Sequence, residues 1–189
     1  MSTLTTTPVT QDLTGEYTVD PAHSRIGFVA RHAMVTKVRG SFNEFEGHGY
    51  FDAADPSRSY LEVTIEAASI DTRNADRDAH LRSNEFFDME NYPEIHFVST
   101  SVEAVDDTTY RVTGDLTIKG VTKPVTIDFE YTGVALDPFG NRRLGLEGST
   151  TINRKDWGVN FNAALETGGV LVSEKIVLEF EVSAIKNVI

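Results

Sequence analysis

Residues 69–98, SIDTRNADRDAHLRSNEFFDMENYPEIHFV, interrupt a chain whose other segments alternate apolar and polar residues with a period of two. That period is the mark of a strand with one face buried. Inside the interruption, Asn74 can cap a helix whose first turn carries Asp76 and Asp78 near the positive end of its dipole. The spacing also allows Asp78 to pair with Arg82 one turn later. A helix of about nine residues is marginal alone, because isolated helices need about 12–15 residues. It must dock on something, and Leu81, Phe86 and Phe87 are the side chains available for it. Pro93 then returns the chain to a strand. One short helix among many strands is expected to cap a barrel.

Working outward, Gly15 to Asp20 reads as a short strand ended by the Asp20-Pro21 turn signal. Ile26, Phe28, Ala30 and His32 share one face of the next strand. Residues 38–52 read as a strand in which Gly40, Gly47 and Gly49 mark bends, and the step from Phe42 to Phe45 suggests a bulge. Leu61, Val63 and Ile65 alternate with Glu62, Thr64 and Glu66. Beyond the helix come residues 95–105, then Tyr110, Val112, Leu116 and Ile118, then Val125 to Tyr131 entered at Pro124. Leu144, Leu146 and Ile152 follow, with an irregular segment over 153–165 and a last strand carrying Ile176, Leu178, Phe180 and Val182. About eight or nine antiparallel strands with short turns predict an all-β barrel or sandwich, one domain over 15–189. A Thr-rich tail, 1–14, is expected to be flexible. A barrel of eight strands either fills with side chains or holds one small ligand, and periodicity does not choose between them.

Composition narrows the function. The 189 residues include no cysteine and carry a formal net charge of −12. A duplex-binding groove needs clustered Lys and Arg, so nucleic acid is not an expected partner. The same charge opposes lasting attachment to an anionic membrane. No apolar run approaches 18 residues and the first ten lack the basic and apolar parts of a signal peptide, so a cytoplasmic location without membrane insertion is expected. The five histidines, at 23, 32, 48, 80 and 96, show no paired-ligand spacing, and no metal is expected. His23-Ser24 has no nucleophile elbow around it, and no catalytic residue or cofactor is assigned.

An ordered set of motifs carries a resemblance. The first is His23-Ser-Arg-Ile-Gly-Phe28 with His32 and Val38-Arg-Gly-Ser-Phe42. The second is Asp71-Thr-Arg-Asn74 with His80-Leu-Arg-Ser83, Phe86-Phe-Asp88 and Tyr92-Pro93. Gly114 to Val125 is the third, and Ile152-Asn-Arg154 with Asp156-Trp-Gly158 the last. Together they make the chain similar to the YceI-like family of lipocalin-like, polyisoprenoid-binding-like proteins. The resemblance implies a single lipocalin-like barrel with an elongated apolar pore for a long-chain amphiphile: a polyisoprenoid, an isoprenoid quinone, or a fatty acid or amide. It implies non-enzymatic binding, transport or storage, leaves room for a homodimer, and brings in relatives that are often periplasmic.

On this reading the inward rows supply the cavity wall: Phe28, Leu61, Val63, Ile65, Leu116, Ile127, Phe129, Leu146, Leu178 and Phe180, with Trp157 from the irregular segment. Burying a lipid tail against them gains about 25 cal/mol per Å². Arg154 could grip a phosphate or carbonyl head group, or else tie the 153–165 segment to Asp71, Asp78 or Asp156. His32, His80 and Arg82 are the other head-group candidates, near the cap. Two other classes stay open: an interaction module with a packed core, and a lipid-modifying enzyme whose titratable groups the fold alone brings together.

Overall fold

The computed structural model describes residues 13–166 and 168–187; most of the segment expected to be a flexible tail lies outside them. Its elements are β1 (Gly15–Val19), β2 (Arg25–His32), β3 (Thr36–Phe42), β4 (Phe45–Phe51), β5 (Tyr60–Glu66), β6 (Ile70–Asp71), α1 (Ala75–Arg82), β7 (Glu94–Ala104), β8 (Thr109–Ile118), β9 (Val121–Leu136), β10 (Arg142–Asn153) and β11 (Lys175–Lys186). All pairings between them are antiparallel, in the order β1-β4-β5-β7-β8-β9-β10-β11. β1 then pairs back on β11, Tyr17 opposite Lys186 and Val19 opposite Ala184, which closes an eight-stranded barrel.

The other three segments are continuations of barrel strands beyond a break. β2 carries on from β1 along β11, with Phe28 opposite Leu178. β3 leads into β4 and pairs with β2, and β6 follows β5 and pairs with β3. Backbone hydrogen bonds fasten the breaks at 20–24, 43–44 and 67–69, the first to β11 and the other two to each other. The Asp20 amide donates to the Ser183 carbonyl at 2.8 Å, and the Asn43 amide to the Ser69 carbonyl at 3.2 Å. Ser24 Oγ accepts from the Ser183 amide at 2.9 Å, so the serine next to His23 is a splice for a broken strand.

This corner replaces the bends expected at Gly40, Gly47 and Gly49, which lie inside regular strands. The first two are small because neighbours need the room. A Cβ on Gly40 would collide with the Phe28 ring, and one on Gly47 would come within 2.9 Å of Val19. The Phe42-to-Phe45 step marks the strand break itself. Pro124 sits four residues into β9, where that strand pairs with β8 and its ladder to β10 has not begun. A proline is tolerated on such a one-sided stretch.

β6 pairs with β3 alone, so beyond the corner the wall has an edge, and α1 packs beside it. Asn74 caps α1 as expected, accepting from the Arg77 amide at 3.0 Å. The expected Asp78–Arg82 pair does not form. Asp78 is buried and accepts from the amide (2.9 Å) and hydroxyl of Thr72. Arg82 reaches the carbonyls of Ala68 at 2.9 Å and Ile70 at 3.3 Å. Thr72 already supplies donors to the Asp78 carboxylate, whereas carbonyls around the 67–69 break need donors, and that need decides where the arginine goes. Leu81 and Phe87 pack against the main apolar cluster, of which Phe86 is a buried member.

Candidate functional site: an apolar cavity along the barrel

The inward rows enclose a cavity of about 280 Å³ that runs from the end where β1 begins to the end covered by α1. Its wall is apolar almost throughout. Ten of the eleven expected wall residues lie on it: Phe28, Leu61, Val63, Ile65, Leu116, Ile127, Phe129, Leu146, Leu178 and Phe180. Burial is unequal among them. Ile65, Leu116, Ile127 and Phe129 are buried, whereas Phe28, Leu61, Val63, Leu146, Leu178 and Phe180 are only half-buried although they pack against the core. Side chains meeting in a close-packed interior would lose their remaining surface. What they retain faces the void.

Trp157 is not on the wall. It is 3 % exposed and donates its indole N–H to the Leu116 carbonyl at 2.9 Å. The turn Arg154–Trp157, closed by Gly158 in the left-handed conformation, fastens it against the barrel. A buried indole needs an acceptor, and the Leu116 carbonyl supplies it.

The head-group candidates divide. His32 is exposed at the end of β2 and off the cavity wall. His80 is held edge-on between Phe86 and Phe161, with ring centroids 4.9 and 4.7 Å away, and its Nε2 meets Glu85 Oε2 at 2.7 Å. Arg82 is committed to the 67–70 carbonyls described above. Arg154 alone is both buried and on the wall. Its guanidinium donates to the carbonyls of Ser173 (2.8 Å), Val159 (2.6 Å) and Val172 (3.2 Å). Burial pulls its pKa below the usual arginine value, with the Glu174 charge acting in the opposite direction. It ties the irregular segment down through backbone carbonyls; the aspartates considered as partners take no part.

The opposite end carries residues that the motif reading passed over. Tyr17 on β1, Tyr110 on β8 and Tyr131 on β9 each end an inward row, and Tyr50 and Tyr60 stand beside them on the wall. Tyr17 donates to the Leu13 carbonyl at 2.7 Å, and burial pushes its pKa up to about 12. Burial raises Tyr110 and Tyr131 as well, and Tyr131 adds to the shift of both others. The signal was legible: three alternating rows run apolar and then stop at tyrosine. Among the described residues no group of three His, Asp or Glu side chains could hold a metal ion, and no helix is long and apolar enough to cross a membrane.

A closed antiparallel barrel with an axial apolar cavity and a helical cap defines a lipocalin-like binding fold. The YceI-like domain model matches residues 17–184, and the chain belongs to that family. A UPF0312 protein of Staphylococcus aureus strain MSSA476 is 43% identical over 169 residues, covering 89% of this chain and 95% of its own. Among solved structures, BcnA of Burkholderia cenocepacia superposes with a TM-score of 0.77 at 25% identity, over 87% of this chain and 98% of that one. The Campylobacter jejuni YCEI protein does so at 0.72 and 31% identity, over 84% and 90%. A domain of Saccharophagus degradans described as polyisoprenoid-binding shares the fold, with a TM-score of 0.69 at 15% identity over 90% and 98%.

Proposed function

We propose that this protein binds a long-chain amphiphilic lipid, a polyisoprenoid, isoprenoid quinone or fatty amide or acid, and carries or stores it without chemical change. One observation carries the reading: six inward-facing side chains that belong to the barrel interior keep accessible surface because a continuous apolar void lies beside them. The description of the Saccharophagus domain agrees with a ligand of this shape. Magnitudes are consistent. Burying about 400 Å² of hydrocarbon contributes about 10 kcal/mol, against an association cost of about 4–15 kcal/mol. The tail therefore supplies most of the affinity and leaves a narrow margin in which head-group contacts matter.

The test is solvent extraction of purified protein followed by mass spectrometry of the extract. A stoichiometric long-chain lipid is the expected result. An extract without lipid, from protein whose crystal density shows side chains filling the lumen, would favour a packed interaction module and remove this reading.

A further inference from the structure

An amphiphile in this cavity must place its polar end somewhere, and the helix end is ill suited to receive it. Arg154 is the one charged side chain among the described wall residues, and three backbone carbonyls already accept from it. At the far end the situation reverses. Five of the chain's 6 tyrosines line that end of the cavity: Tyr17, Tyr50, Tyr60, Tyr110 and Tyr131. Tyr17 donates to a backbone carbonyl, but neither Tyr110 nor Tyr131 donates a hydrogen bond among the described residues. Tyr110 is only 8% exposed and lines this end of the wall, and its hydroxyl keeps accessible surface, because no side-chain oxygen or nitrogen among the described residues is both buried and unpartnered.

We propose that this tyrosine end is a head-group site for an uncharged hydrogen-bond acceptor, such as the carbonyl of a ketone, quinone, amide or ester. The proposal rests on the cavity being a lipid site, as argued above. Phenols donate one hydrogen bond each and carry no charge at neutral pH, and burial raises all three of the inward tyrosines further from ionisation. A phosphate head would instead need several cations with free donors. Arg143, a nearby cation, is already engaged, bonding Asp20 at 2.7 Å and Asp137 at 2.9 Å. A ketone oxygen between the Tyr110 and Tyr131 hydroxyls would leave its hydrocarbon tail running toward Phe86 and Phe87.

Three probes with one tail separate head group from cavity: farnesylacetone, with a carbonyl head; farnesyl phosphate, with a charged head; and farnesene, which has no polar head. Binding of each to the whole delipidated chain is measured by calorimetry, for the native protein and for the double variant Tyr110→Phe, Tyr131→Phe. The native protein is expected to bind farnesylacetone at least tenfold more tightly than farnesyl phosphate. The double variant should lose about 5- to 10-fold for farnesylacetone, the effect of a hydrogen bond, with farnesene unchanged as proof of an intact cavity. Equal farnesylacetone binding by both proteins, or a native preference for the phosphate, would overturn the head-group site while farnesene binding kept the cavity reading. If none of the three probes binds, both readings fall.

Discussion

The two ends of this barrel use polar groups in opposite ways. At the helix end, strong charged donors are directed at the backbone: Arg154 holds the carbonyls of Val159, Val172 and Ser173, and Arg82 those of Ala68 and Ile70. At the tyrosine end, neutral side chains line the cavity and two of the inward three donate no hydrogen bond among the described residues. A charged residue on a cavity wall is thus a poor guide to a binding site when irregular backbone nearby lacks donors. Broken strands leave carbonyls that a guanidinium fork satisfies better than water can. Closed β-ladders make no such demand, and a tyrosine at the end of an inward row keeps its hydroxyl available.

That contrast is broken most forcefully at Arg154. Arg154→Ala strands the three carbonyls that accept from it, and chemical denaturation should show a loss of about 3 kcal/mol or more. Arg154→Lys should recover little of it, because a single ammonium cannot reproduce the planar fork. A variant of full stability but lost lipid would instead make Arg154 a ligand contact. Asp78→Asn comes next. Its carboxylate accepts from both the amide and the hydroxyl of Thr72, and an amide should weaken that pair by about 1–2 kcal/mol, read as earlier unfolding in urea. Trp157→Phe keeps the ring but drops the bond to Leu116, and should cost about 1 kcal/mol without changing lipid content. Loss of lipid in that variant would return Trp157 to the wall.

The smallest effect is expected outside the tyrosine end, where Arg143 links Asp20 and Asp137. Hydrogen bonds from the Asn141 backbone and from Arg143 hold Asp137 down at about 2, and the Arg143 guanidinium lowers Asp20. A carboxyl whose folded pKa lies below its unfolded value, about 3.9, stabilises the fold above that value and ceases to as pH falls. The stability difference between native protein and Asp137→Asn should therefore shrink as the pH drops from about 4 toward 2. A difference that stays constant over this window would show that the carboxylate charge contributes nothing.

Much of the fold was legible because period-two rows and turn residues act locally. Leu61, Val63 and Ile65 faced inward as their alternation predicts, and Asn74 caps the helix its position announces. The corner was harder to read. Residues 20–24, 43–44 and 67–69 are far apart in sequence, and only barrel closure brings their breaks together. For the same reason neither the Asp78 pairing expected of Arg82 nor the aspartates offered as one alternative for Arg154 names the backbone carbonyls these arginines hold. Sequence shows carboxylates but not which carbonyls a broken ladder leaves unpaired. Trp157 is expected on the wall as an aromatic of the family's last motif, whereas its N–H governs its position. The tyrosines were visible throughout as row endings, but their meaning depends on three rows ending at the same level.

The most direct test of the account is the direction in which a bound chain lies. A long-chain methyl ketone carrying bromine at its hydrocarbon terminus would be crystallised with the protein and located by its anomalous scattering. A bromine peak is expected inside the barrel near Leu81, Phe86 and Phe87, with the ketone oxygen among the tyrosines. A peak beside Tyr110 and Tyr131 would contradict the assignment of the two ends, and a peak confined to the outer surface would contradict the cavity.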